Sequence, residues 1–137
     1  MCIHRALITS CVTTGTAFIP PTFNSSQQFN EWLTFNTSPP VVPEPYYQQV
    51  IATLGELYPD DPALGSPFGT GNDTFGLSSQ YKRIAAALAD MQFQSQRRAW
   101  TQVASNAGVK VFGYIFADPQ PNNPPSIAST CFVCTMY

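Results

Sequence analysis

Charge is what this sequence has least of. Acidic and basic residues make up 10 % of its 137 residues, against about 25 % in an ordinary globular chain. A net charge of -2 offers no basic field to gather phosphates, which excludes nucleic acid as a partner. Histidine is nearly missing as well. His4 is the single one, three residues from the start, with no neighbouring carboxylate and nucleophile to make it a general base. No run of about eighteen apolar residues occurs, so no transmembrane segment is expected. The opening Ala6-Leu7-Ile8 stretch is broken by Thr9, Ser10, Thr13 and Thr14, too polar for a signal peptide. A Gly-x-Ser-x-Gly turn, which exposes a hydrolase nucleophile, is also absent. The nearest string, Gly76-Leu77-Ser78-Ser79-Gln80, lacks the closing glycine, and its Ser78 reads as a helix N-cap.

Four cysteines stand in two distant groups, Cys2 with Cys11 and Cys131 with Cys134. Zinc would need all four and therefore both termini together, without the paired short spacing of a zinc site at the first half. A redox reading of Cys131-Phe-Val-Cys134 needs a helix after it, and three residues follow. No metal and no cofactor is expected. The few charges are segregated. Up to residue 80, Arg5 faces Glu31, Glu44, Glu56, Asp60, Asp61 and Asp73, a net -5; beyond it five cations face Asp90 and Asp118, a net +3. The two halves attract weakly across salt-screened distances.

What is present is apolar. Hydrophobic residues make up 44 % and aromatics 13 %, and the length fits one domain. Ala6 to Val12 has the composition of a short strand and ends before Gly15, a turn position. Phe29, Trp32, Leu33 and Phe35 follow Ser25-Ser26 on one side of a short helix. Tyr46, Tyr47, Val50, Ile51, Leu54 and Leu57 predict a second helix, entered through Pro43 or Pro45 and closed by Tyr58-Pro59. Residues 59–77, with four glycines and three prolines, read as loop. Tyr81, Ile84, Ala85, Leu88 and Met91 predict a helix whose phase slips near 90–93. A second set, Phe93, Arg97, Trp100 and Ala104, runs to a stop at Gly108, as one kinked helix or two consecutive ones. Trp32, Trp100 and the phenylalanines read as core. Val109 to Phe116 is the best strand, apolar enough for burial on both faces. Such a strand needs neighbours that one other short strand does not supply. The pattern is that of part of a larger α/β layer structure.

Asp60-Asp61 with Asp73 raises a paired-carboxylate or metal site, but in proline-rich loop aspartate caps turns. Arg97 and Arg98 diverge by about 100° on a helix. They form no clamp; one is expected to pair with an acid and the other to be solvated.

The string Tyr58-Pro-Asp-Asp-Pro-Ala-Leu-Gly-Ser-Pro-Phe-Gly-Thr-Gly71, followed by Tyr81-Lys-Arg-Ile-Ala-Ala-Ala-Leu-Ala-Asp90 and Arg97-Arg98, resembles the C-terminal third of the type-B carboxylesterase and lipase family, particularly its fungal branch. Tyr114-Ile-Phe-Ala-Asp-Pro-Gln-Pro121 resembles the strand and exit leading to that family's histidine loop, and Gly15-Thr-Ala-Phe18 the residues after its catalytic acid. The likeness covers about residues 8–125. It implies a partial α/β-hydrolase over 1–125, mainly helical with one or two strands of the parent sheet. Residues 126–137 would then be an unrelated tail. It also implies ester hydrolysis by a serine–histidine–glutamate triad in a complete, secreted protein acting on small-molecule or lipid esters. Phe18 would be a wall of the acyl pocket. The acid position falls on Thr14, and 126–137 hold no histidine. The resemblance therefore implies no catalytic residue in this chain and no activity for it alone. The sequons at Asn24, Asn36 and Asn72 permit glycosylation in a secreted protein. The competing expectation, of another class, is a non-enzymatic interaction module.

Overall fold

The computed structural model describes residues 5–11, 15, 16, 19, 22–36 and 42–116. β1 (Arg5–Cys11), α1 (Ser26–Asn36), α2 (Tyr46–Leu57), α3 (Tyr81–Ala89), α4 (Ser95–Asn106) and β2 (Lys110–Phe116) follow in chain order. A 3-10 turn at Pro62–Leu64 separates α2 from α3, and a π-helical segment, Asp90–Gln94, joins α3 to α4. The two strands pair in parallel from Arg5↔Lys110 to Cys11↔Phe116. Parallel neighbours need a long crossover, and here all four helices lie within it. The described part is thus mostly helical, with one two-stranded parallel sheet.

The start of α1 and the stop of α4 have local causes. Ser25 Oγ accepts from the Gln28 amide at 3.3 Å, a side-chain cap for α1. At the end of α4, Gly108 takes φ 76°, and the bonds Val109 N to Ala104 O and Gly108 N to Ser105 O, both 3.0 Å, close a Schellman turn. The predicted phase slip is the π-helical segment itself. Its wider turn inserts extra residue spacing between α3 and α4 and rotates the following face. Ser78, in contrast, is not an N-cap. Its carbonyl accepts from Tyr81 N at 3.1 Å, while its buried hydroxyl has no partner among the described residues. Gln80 holds the cap position without a side-chain cap bond.

The core is organised around α3, all nine of whose residues are buried. Phe29 and Leu33 of α1 meet Ile84 and Ala87 of α3, with Ile19, Phe23, Trp32, Ile51, Leu54, Tyr58 and Met91 packed around them. Alanines at 85, 86, 87 and 89 let backbone approach from several sides. Two glycines make that approach. A Cβ on Gly15 would run into the carbonyl oxygen of Ala85 and come within 2.9 Å of Ala89 N, and one on Gly65 would lie 2.5 Å from the Lys82 carbonyl carbon. Gly15 lies in a 3-10 turn, as its place in the sequence predicts, and it also makes close contact with the helix.

Several apolar positions read as facing inward face out. Phe35 is 80 % and Trp100 70 % exposed, and Tyr46, Val50 and Leu57 are exposed as well. Only the Tyr47, Ile51 and Leu54 side of α2 turns inward. In β2, Phe112 is 54 % exposed, so the described strand is not buried on both faces. The described residues provide no layer on that side.

Candidate functional site

α3 carries two adjacent cations, Lys82 and Arg83, at 0 % and 7 % exposure. Buried charge is tolerated only where hydrogen bonds replace water, and each side chain gathers its own set. Arg83 Nε donates to Tyr58 O and Nη2 to Gly55 O at 3.3 Å. These are carbonyls at the C-terminal end of α2, which has no basic residue of its own in its last turn. A guanidinium there satisfies orphan carbonyls and complements the helix dipole. Nη1 donates to Ser26 Oγ at 3.0 Å and Gln80 Oε1 at 3.1 Å. Both residues donate onward to Asp60, Ser26 Oγ to Oδ2 at 2.9 Å and Gln80 Nε2 to Oδ1 at 2.7 Å. The guanidinium also lies 3.9 Å above the Phe29 ring, a cation–π contact. Burial pulls the Arg83 pKa down and the Asp60 charge opposes that. One side chain thereby ties α1, the end of α2, the 58–60 loop and α3 together.

Lys82 holds the next loop. Its Nζ donates to Thr70 Oγ1 at 2.8 Å and Gly71 O at 2.6 Å. Thr70 Oγ1 passes its own hydrogen to Pro67 O at 2.7 Å, and Ser66 N donates to Lys82 O at 3.0 Å. The Gly65–Gly71 string is wrapped around this lysine, with Gly65 against its backbone. The strings at 58–71 and 81–90 are therefore one structural clasp, not a catalytic constellation.

The third attachment of α3 reaches residues 15 and 16. Tyr81 OH donates to Thr16 O at 3.0 Å, a buried bond, and Gly15 presses on the backbone of Ala85 and Ala89. Residues 15 and 16 are thus held by a hydrogen bond and by close backbone packing.

The residues singled out from sequence are not brought together. Asp61 Oδ1 accepts from Ala63 N at 2.9 Å and Asp73 Oδ1 from Phe75 N at 2.8 Å, each capping its own turn. Asp60 serves the Arg83 network instead. Arg97 Nε donates to Gln94 Oε1 at 3.0 Å, a neutral amide where an acid was expected, and Arg98 is exposed. Asn24 and Asn72 are exposed. Phe18, Thr14, His4, Cys2, Cys131, Cys134 and the 126–137 stretch lie outside the described residues, and of Cys11 only the backbone, in β1, is described. Among the described residues no group of three or more His, Cys, Asp or Glu could hold a metal ion. None of their helices is long and apolar enough to cross a membrane. Sequence reasoning missed Lys82, Arg83, Gln80 and Tyr81 as the hub. The available signal was a pair of cations inside an alanine-rich helix whose apolar residues run all round it.

No family model matches the chain. Over 89 residues it is 37 % identical to Lipase 2 of Geotrichum candidum, a match taking in 61 % of this chain and 14 % of that protein. Over 48 residues it is 48 % identical to Lipase 4 of Diutina rugosa, covering 35 % of this chain and 9 % of that protein. The matches relate the chain to fungal lipases, of whose length it spans about a seventh or less.

Proposed function

We propose that the chain is a segment of an α/β-hydrolase of the type-B carboxylesterase and lipase kind, in its fungal branch. Residues 1–125 would be the C-terminal part of that domain. Ester hydrolysis, on small-molecule or lipid esters outside the cell, then belongs to the complete protein. The segment's role there is to hold residues 15 and 16, next to position 14. One observation carries this reading: Tyr81 OH on Thr16 O at 3.0 Å, with Gly15 packed on α3. In a serine hydrolase the acid must be fixed where it orients the histidine and stabilises the imidazolium. The position beside Gly15 is the one the resemblance gives to that acid, and Phe18, two residues beyond Thr16, is our candidate for the acyl-pocket wall.

Thr14 carries no charge and does not replace a carboxylate in that task. The 137 residues hold no Gly-x-Ser-x-Gly string and one histidine, His4. The chain by itself is expected to leave p-nitrophenyl butyrate unhydrolysed above the buffer rate. Turnover by purified chain that a serine-directed phosphonate abolishes would sink the reading. A second reading, the interaction module, draws support from the exposed Tyr46, Val50 and Leu57 on α2. Cooperative unfolding of a soluble, monomeric chain would favour it.

A further inference from the structure

Beside Arg83 the end of α2 and the 3-10 turn enclose a cavity of about 100 Å³, lined by Leu57, Tyr58, Pro59, Leu64, Gly65, Arg83 and Ala86. Arg83 is the one charged residue among those lining it. Arg83 has five N–H donors, and four of them meet neutral oxygens: Tyr58 O, Gly55 O, Ser26 Oγ and Gln80 Oε1. The fifth has no acceptor among the described residues. Asp60 reaches the guanidinium only through Ser26 and Gln80, so no carboxylate touches this cation.

We propose that the cavity binds a short-chain carboxylate, with Arg83 as its charge partner. A carboxylate oxygen takes the remaining N–H in a charge-assisted bond, the strong class of hydrogen bond. The alkyl end rests among Leu57, Leu64 and Ala86. Size limits the ligand. A cavity of about 150 Å³ accommodates benzene, so the present one takes about four or five non-hydrogen atoms, as in acetate or propionate. A phosphate has three oxygens to satisfy, and Arg83 keeps one N–H beyond its four bonds. The site is independent of the hydrolase relationship.

The probe is sodium propionate, titrated into the full 137-residue chain at constant ionic strength and followed by ligand-observed NMR. Saturable binding in the millimolar range is expected, as befits so few atoms. Propionamide, which keeps the shape and loses the charge, should bind at least tenfold more weakly. Ala86→Leu, which fills the cavity and leaves the Arg83 bonds in place, should weaken propionate at least tenfold. Leu57→Glu, at an exposed rim position, offers Arg83 a tethered carboxylate and should weaken propionate at least fivefold, even if Ala86→Leu does not fold. Equal binding of propionate and propionamide, no saturation below about 50 mM, or unchanged affinity in a folded variant overturns the proposal.

Discussion

At the residue scale, Tyr58 links the end of α2 to the segment after α3. Its phenol donates to Asp90 Oδ2 at 3.0 Å. Burial first, then that bond and the Asp90 charge, push its pKa well above the usual tyrosine value. The unfolded chain loses this proton near pH 10, whereas the folded chain keeps it. The contribution is therefore complete below about pH 10 and is lost as pH rises further, because the unfolded state then binds fewer protons than the folded one. Urea midpoints taken from pH 8 to pH 11.5 should fall steeply above pH 10. Tyr58→Phe should make the fall shallower without abolishing it, since burial raises Tyr81 as well. An identical slope in the variant rules this origin out. None of this was legible in sequence, where Tyr58 is read as the residue that closes α2 before Pro59 and as the first of the 58–71 string.

At the element scale, Ser78 separates sequence logic from structure. A serine three residues before a periodic run is an N-cap by pattern, and losing a true cap costs about 1 kcal/mol. Here the hydroxyl is buried and has no partner among the described residues, a state that itself costs on the order of 1 kcal/mol. Ser78→Ala should leave the urea midpoint unchanged or raise it; a loss of about 1 kcal/mol would restore the cap. The same pattern reading did find the elements. Apolar spacing of three and four located α1, α2 and α3, the slip near residue 90 located the π-helical segment, and Gly108 located the stop. It failed on facing. Phe35, Tyr46, Val50, Leu57 and Trp100 obey helical periodicity but lie outside the narrower stripes that are buried. Periodicity says that a face exists; which residues find a partner depends on neighbours that no local window contains. The site was less legible still, because Lys82 and Arg83 act through backbone carbonyls of Gly55, Tyr58 and Gly71, and carbonyls leave no mark in a sequence.

At the scale of the molecule, two features stand in tension. Around α3 the packing is dense enough that glycine is required at positions 15 and 65. At the sheet, each described strand has one neighbour, and a two-stranded sheet is marginal in water. Among the described residues the outer edges are unpaired, and such edges are templates for association. Phe112 stands exposed in the middle of β2, and Trp100 and Val103 of α4 are exposed too. A relative about seven times longer than the matched region has chain enough to cover such surfaces. Phe112→Lys places a charge on the exposed strand position, the device by which natural edges resist pairing. Sedimentation velocity at tens of micromolar, where exposed edges and apolar surface drive aggregation, should show concentration-dependent oligomers for the parent chain. The variant should shift toward monomer, with an unchanged far-UV spectrum. A parent chain that sediments as monomer across that range would mean that α3 and its clasp suffice to keep the sheet from pairing outward. The exposed aromatics would then be ordinary surface.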